Sequence, residues 1–274
     1  MADEREPLVS VVTPSLNQVR YVEEAIRSVA EQDYPRIEHI VIDGGSTDGT
    51  LDVLRRHARV RWISEPDRGQ ADALNKGFGM SSGEIFAWLN ADDVYLPGAL
   101  SAAVAALQES GAALVYGGWR QLDEGGATIK DVGARPYDYR ELLEVRNLIA
   151  QPSAFFTREA FEGVGGVDAG FRYAMDYELW LRIGARYEIR RIDGILAGFR
   201  FQPDSKTVAS YERFWAETHR ASRRHGGRYF SPMYLRSLPE RRRSVARGLA
   251  VWRYVRTGDV GGLLARLRRR PGRT

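Results

Sequence analysis

Two adjacent aspartates, Asp92 and Asp93, follow the apolar run Ile85-Phe86-Ala87-Trp88-Leu89 and the pair Asn90-Ala91. Carboxylates just beyond a buried strand suit a divalent cation. Mg²⁺ and Mn²⁺ take oxygen ligands, often one or two carboxylates completed by substrate phosphates and water. A cation there takes charge off a leaving diphosphate. The same pair can also cap the following helix. On residue type alone the two readings are even.

Three other segments carry candidate chemistry. Asp43 stands before Gly44-Gly45. A carboxylate there can bind the base or ribose of a nucleotide, and the glycines admit close backbone approach. An ordinary strand-to-helix turn using Asp48-Gly49 explains it as well. The stretch Asp67-Arg68-Gly69-Gln70-Ala71-Asp72 continues to Asn75-Lys76-Gly77. Arg68 and Lys76 suit a diphosphate; the competing reading is a solvated helix with Gly77 past its end. Asp176 and Glu178 begin another helix. Either can serve as the base that takes a proton from an attacking hydroxyl, because apolar neighbours raise a carboxylate's proton affinity. Either can equally be an acid favoured by the helix dipole.

Other chemistries are excluded or disfavoured. There is no cysteine. A disulfide framework, a thiolate zinc site and a cysteine nucleophile are excluded, and a reducing cytosol fits. The four histidines show no metal spacing. No Walker loop or Gly-x-Ser-x-Gly elbow occurs. The charged start from Met1 to Pro7 has no signal-peptide core, and no run of about 18 apolar residues suggests a spanning helix.

The elements that must position these residues alternate. Leu8 to Thr13, His39 to Asp43, Val60 to Ser64 and Glu84 to Leu89 fit strands. Tyr21 to Glu31, Thr50 to His57, Gln70 to Gly77 and Ala99 to Glu109 fit helices. This order predicts an α/β fold, a mostly parallel sheet with helices on both faces, with Val41, Ile63 and Phe86 in its core. In such a sheet, ligands bind at the carboxyl ends of the strands, where Thr13, Asp43, Ser64 and Asn90 lie. Further on, Ala113 to Trp119 fits a strand with a hairpin near Gly125, Arg158 to Val164 and Tyr177 to Ala185 fit helices, and Ile189 to Ile195 and Leu196 to Phe201 fit two closing strands. Residues 1–205 form the expected catalytic domain, divided near 110. Residues 206–274 form a basic helical extension.

Taken together, these segments resemble the inverting family 2 glycosyltransferases of the GT-A, Rossmann-like fold. The resemblance rests on Val9 to Asn17, Ile40 to Thr50, Trp88 to Asp93, Gly165-Gly166-Val167-Asp168 and Met175 to Arg182, in family order. It implies a nucleotide-diphosphate sugar donor, a hydroxyl acceptor and Mn²⁺ or Mg²⁺. The product class implied is a surface polysaccharide, a glycolipid or a glycosylated natural product. Pro14, Ser15 and Asn17 would line the nucleotide pocket, and Asp43 with Gly45 would meet the base or ribose. Asp67, Arg68, Gln70 and Lys76 would line the donor site, with Asn90 and Ala91. Asp92 would be the principal metal ligand, with Asp93 beside it, and Asp176 the catalytic base. Gln151, Glu178 and Trp180 would lie near the sugar or acceptor. The family often has Asp-x-Asp where this chain has Asn90-Ala91-Asp92, and Glu-Asp where it has Met175-Asp176.

From Arg241 to Arg270, arginines alternate with Leu249, Val251, Trp252, Val255, Leu263, Leu264 and Leu267. This suits a basic amphipathic helix on the anionic inner face of a membrane. A helix pair packed on the domain, or a contact between copies in a homo-oligomer, explains it as well. Nucleic acid is not an expected partner. Two competing functions remain at this level. A sugar nucleotidyltransferase would carry a glycine-rich basic loop after the first strand, which Pro14-Ser15-Leu16-Asn17 lacks. A non-catalytic nucleotide- or carbohydrate-binding protein would not need Asp176.

Overall fold

The computed structural model describes residues 6–201 and 211–238. The expected helix within 241–270 lies outside the described residues, as does the boundary expected near 205.

Short apolar runs ended by polar residues give β1 (Val9–Ser15), β2 (Ile37–Asp43), β3 (Arg61–Ser64) and β4 (Ile85–Trp88). They pair in parallel in the order β3-β2-β1-β4. The connections are α1 (Val22–Ala30), α2 (Thr50–Arg56) and α3 (Gln70–Met80). β5 (Val94–Tyr95) and α4 (Ala99–Ser110) follow. The chain then forms β6 (Leu114–Leu122), β7 (Thr128–Val132), α5 (Tyr139–Glu144), a 3₁₀ turn (Gln151–Ser153) and β8 (Ala154–Thr157). It continues with α6 (Arg158–Gly163), α7 (Met175–Gly184), β9 (Ile189–Arg200), α8 (Tyr211–Arg224) and α9 (Pro232–Ser237).

One sheet joins both halves, in the order β3-β2-β1-β4-β8-β6-β9-β5, with β7 paired to β6. The sheet is mixed and mostly parallel, as expected: beside β1 to β4, β6 and β9 also run parallel. β8 runs antiparallel to β4 and β6, and β5 runs antiparallel to β9. These later strands enter without the regular crossover helix that parallel pairing needs. The two expected closing strands are a single strand, β9. Gly194, at φ +104°, and shifts of register against β6 absorb its irregularity.

Alternate residues of each central strand feed cores on opposite faces. Val12, Phe86, Leu114 and Phe156 pack with α3, α6 and α7. Val11, Ala87, Val115 and Phe155 pack with α1 and α4. Val41 and Phe86 are fully buried as expected. Ile63 is only half-buried, because β3 is an edge strand. Gly77 does not end α3. It lies inside the helix, where a Cβ would come within 2.4 Å of Val12 Cγ1. Its missing side chain lets α3 settle on β1. Ala221 of α8 and Met233 of α9 are fully buried in the main core cluster, so the described part of the extension packs into the domain.

Candidate active site

The polar ends of β1, β2 and β3 lie side by side, with Ser15 opposite Asp43 and Asp43 opposite Ser64. Asp43 is fully buried. Its Oδ1 accepts from Gly45 N at 3.1 Å, Ser46 N at 2.9 Å and Ser64 Oγ at 2.6 Å. Its Oδ2 accepts from Ser46 Oγ. Asp43, expected to meet the base or ribose, thus lies inside the loop that would carry that contact. This carboxylate is occupied in shaping the loop after β2. Asn17, at φ +54°, ties the neighbouring loop to it. Asn17 N donates to Ser46 Oγ at 2.7 Å, and Asn17 Oδ1 accepts from Thr47 N at 2.9 Å. Pro14 is buried in β1. Ser15 Oγ is buried and has no protein hydrogen-bond partner, so it has capacity for a ligand.

Asp67 sits over this loop. A Cβ on Gly44 would meet Asp67 Oδ2 at 2.7 Å. Asp67 Oδ1 accepts from Gly69 N at 2.8 Å, which shapes the entry to α3. Arg68 pairs with Asp72 at 2.8 Å, with its side chain 89% exposed. Lys76 pairs with Glu65. Each pair has one exposed member, Arg68 or Glu65, and such pairs have little strength.

Asn90 is the hub of the acidic loop. Its Oδ1 accepts from Gln70 Nε2 and Trp88 Nε1, both at 2.8 Å. Its Nδ2 donates to Gln151 Oε1 at 2.8 Å and Asp93 Oδ2 at 3.1 Å. Gln151 Nε2 donates in turn to the Trp88 carbonyl. A side-chain amide is needed here, because it both donates and accepts. Ala91 is buried beside it.

Asp93, expected beside Asp92 as a metal ligand, is bonded inward in this structure. It is fully buried, and its Oδ1 accepts from Arg200 N at 3.0 Å. Burial and the adjacent Asp92 charge hold its carboxyl well above the ordinary range. Both oxygens thus bind inward. Asp92 is half-buried, and its carbonyl accepts from Arg200 Nε at 2.9 Å. Among the described residues, no group of three His, Asp or Glu side chains is arranged to hold a metal. A single carboxylate, Asp92, fits a cation that takes its remaining ligands from phosphate and water. Sequence reasoning missed Arg200. It is buried and also pairs with Glu24 at 2.6 Å, but nothing in its local sequence marks it.

Asp176 lies in the first turn of α7, half-buried, within 3.4 Å of Asn147 Nδ2. Burial raises its carboxyl to about 6, against hydrogen bonds from Tyr177 N and Asn147. Asn147 was also missed. It stands four residues before Gln151, so the segment 147–151 touches Asp176 at one end and Asn90 at the other. Glu178 and Trp180 do not join this site. Glu178 is fully buried and pairs with Arg182 at 2.7 Å and His225 at 3.1 Å. Burial alone would raise its carboxyl, yet those partners hold it below the ordinary range. Trp180 is fully buried, its ring edge-on to Phe156. Helical periodicity turns Glu178, two residues on, away from the side that carries Asp176, whereas Trp180, one turn on, shares that side but is buried in the core.

Known proteins share this chain's family and fold. The family described as glycosyl transferase family 2 matches residues 10–165. An uncharacterised glycosyltransferase of Mycobacterium tuberculosis is 32% identical over 242 residues, covering 84% of this chain and 90% of its own. Chondroitin synthase of Escherichia coli is 29% identical over 196 residues, covering 70% of this chain and 28% of its own. A mannosyltransferase from Pyrobaculum calidifontis, solved with GDP-Man and Mn²⁺, superimposes with a TM-score of 0.68 at 24% identity. That match covers 96% of this chain and 79% of the other. TarS 1–349 of S. aureus, solved with UDP-GlcNAc, gives 0.64 at 17% identity, covering 80% and 66%. The shared architecture is the GT-A fold.

Proposed function

The chain belongs to glycosyl transferase family 2, and we propose that it transfers a sugar from a nucleotide-diphosphate sugar to an acceptor hydroxyl with inversion, using Asp176 as general base. The observation that carries this reading is Asp176 itself. A half-buried carboxylate raised to about 6 is ionised at neutral pH yet basic enough to take a proton. It also connects through the segment 147–151 to the loop carrying Asp92.

The nucleoside lies against the loops after β1 and β2, which Asp43 and Asn17 shape. Ser15 Oγ offers it a hydrogen bond, and Asp67 faces it from above Gly44. Arg68 and Lys76 draw the diphosphate to the rim. Asp92, with donor phosphate oxygens, would hold Mn²⁺ or Mg²⁺, which neutralises charge on the leaving diphosphate. Gln70 and Gln151, fixed by Asn90, border the sugar. As the acceptor oxygen bonds to the anomeric carbon, its proton passes to Asp176. The bond from the anomeric carbon to the diphosphate oxygen breaks, and the nucleoside diphosphate leaves with the electron pair. Bonding and leaving on opposite faces of that carbon invert it.

Two bound donors among structural neighbours, UDP-GlcNAc and GDP-Man, support a nucleotide-sugar donor. The Mn²⁺ bound by the mannosyltransferase supports the metal. The basic sequence from Arg241 to Arg270 supports peripheral contact with an anionic membrane. No helix among the described residues is long and apolar enough to cross a bilayer.

A thermal-shift series with UDP-, GDP- and dTDP-sugars, each with Mn²⁺ or Mg²⁺, tests the donor class. A ligand of the folded state raises Tm with its concentration. A flat response to every nucleotide would sink the reading.

A further inference from the structure

The loop leading into α7 has no cap of its own. Ala174 precedes the helix without a side-chain hydrogen bond at its N-terminus. The amides just before it are instead satisfied from α8. Glu217 Oε2 accepts from Arg172 N at 2.9 Å, Tyr173 N at 2.6 Å and Ala174 N at 3.2 Å. The Glu217 side chain is 18% exposed, so water competes poorly for these amides.

Neighbouring contacts hold Glu217 in place. Arg220 Nη2 donates to the Gly170 carbonyl at 2.6 Å, and its guanidinium lies 4.1 Å from the Phe171 ring centre. Arg224 pairs with Asp168. His225, just past α8, bonds Glu178 two residues beyond Asp176. The segment from Asp168 to Glu178 is thus gripped from one side by one face of α8 and the turn that follows it.

We infer that Glu217 is a positioning residue for the reaction: it fixes the turn that presents Asp176, which makes α8 part of the catalytic machinery. The inference rests on the reading of Asp176 as the base. A carboxylate accepting three amides at the start of a helix also complements the positive end of the helix dipole. Removing it leaves three amides to water, and Asp176 follows two residues after the last. A displacement of about 1 Å at a reacting group costs about a hundredfold in rate. The sequence hides this link, because Glu217 lies on a helix with no motif, 41 residues after Asp176.

The test compares full-length wild type, E217Q and E217A by three measurements without added ligand: amide hydrogen exchange over 170–176, a carbon-NMR titration of the Asp176 carboxyl assigned with D176N, and thermal melting. In E217A, amides 172–174 should exchange about tenfold faster, as expected for loss of a charged acceptor. The Asp176 midpoint should fall towards the ordinary aspartate range as water enters. E217Q keeps an accepting oxygen without the charge and should move both readouts less, in the same direction. If E217A melts before it can be measured, the two readouts on E217Q decide alone. Wild-type exchange and an unmoved Asp176 midpoint would overturn the inference, whatever D176N does to sugar transfer. Full transfer by D176N would instead overturn the assignment of the base and leave the positioning measurement standing.

Discussion

Asn90 Nδ2 donates to Gln151 Oε1 at 2.8 Å, joining the acidic loop to a segment 61 residues away. Gln151 returns a bond to the Trp88 carbonyl, and Asn90 also serves Gln70 and Asp93. The position where related sequences often carry an aspartate is thus a two-way connector. N90D should replace both donated bonds by repulsion, from Asp93 and from the Gln151 oxygen. The cost of unmatched buried groups is about 1–3 kcal/mol each. Thermal melting should show a Tm lower by several degrees. A Tm equal to wild type would show that the network contributes nothing.

Asp92 and Asp93 should separate by readout. D92N removes the one half-buried carboxylate of the loop and should abolish the Mn²⁺-dependent part of the donor thermal shift. D93N should act on Tm, because Asp93 bonds Arg200 N and Asn90. Equal loss of metal response in both variants would restore Asp93 as a ligand.

Much of this division was legible in the sequence and part was not. The strand-end placement of Asp43, Asp67 and Asp92 follows from apolar runs and the βα alternation, and these local patterns fix β1 to β4 and their helices. What the sequence does not show is which way a side chain points. Asp92 and Asp93 look alike in the chain, yet one is half-buried and the other is fully buried against β9. Asp176, Glu178 and Trp180 lie close together on one helix in sequence, but only Asp176 is partly exposed, while Glu178 and Trp180 are fully buried. The partners that decide these directions, Arg200, Asn147, His225 and Glu217, are distant in sequence and carry no local signal. The antiparallel placement of β8 and β5 was hidden for a similar reason: strand direction there is set by long-range pairing.

Gly44 and Asp67 form a steric pair. A methyl group on Gly44 would meet Asp67 Oδ2 at 2.7 Å, too close to fit without movement. G44A should lower Tm and weaken nucleotide binding together. Adding D67A to G44A should recover part of the Tm but not the binding, since Asp67 is proposed to face the nucleoside. The double-mutant cycle measures the coupling, expected at about 0.5–3 kcal/mol for residues in contact. Strict additivity would remove the proposed contact.

As the proposed base, Asp176 should set the acid limb of activity. Its carboxyl titrates near 6 because burial disfavours the charge. The base works only when ionised, so kcat/KM should fall below pH 6, tenfold per pH unit, and level off above it. D176N should lose about 10²- to 10⁴-fold in rate, the usual contribution of a general base, with the nucleotide thermal shift kept. The stability sign runs the other way. A carboxyl raised in the folded state binds its proton more tightly there than in the unfolded chain. Its ionisation therefore costs stability as pH rises through the interval from 3.8 to about 6. At neutral pH the uncharged D176N should melt no lower than wild type. An inactive D176N with intact Tm, beside a wild-type profile that breaks near pH 6, assigns the base. A wild-type rate that stays flat down to pH 4 would assign the proton to another group.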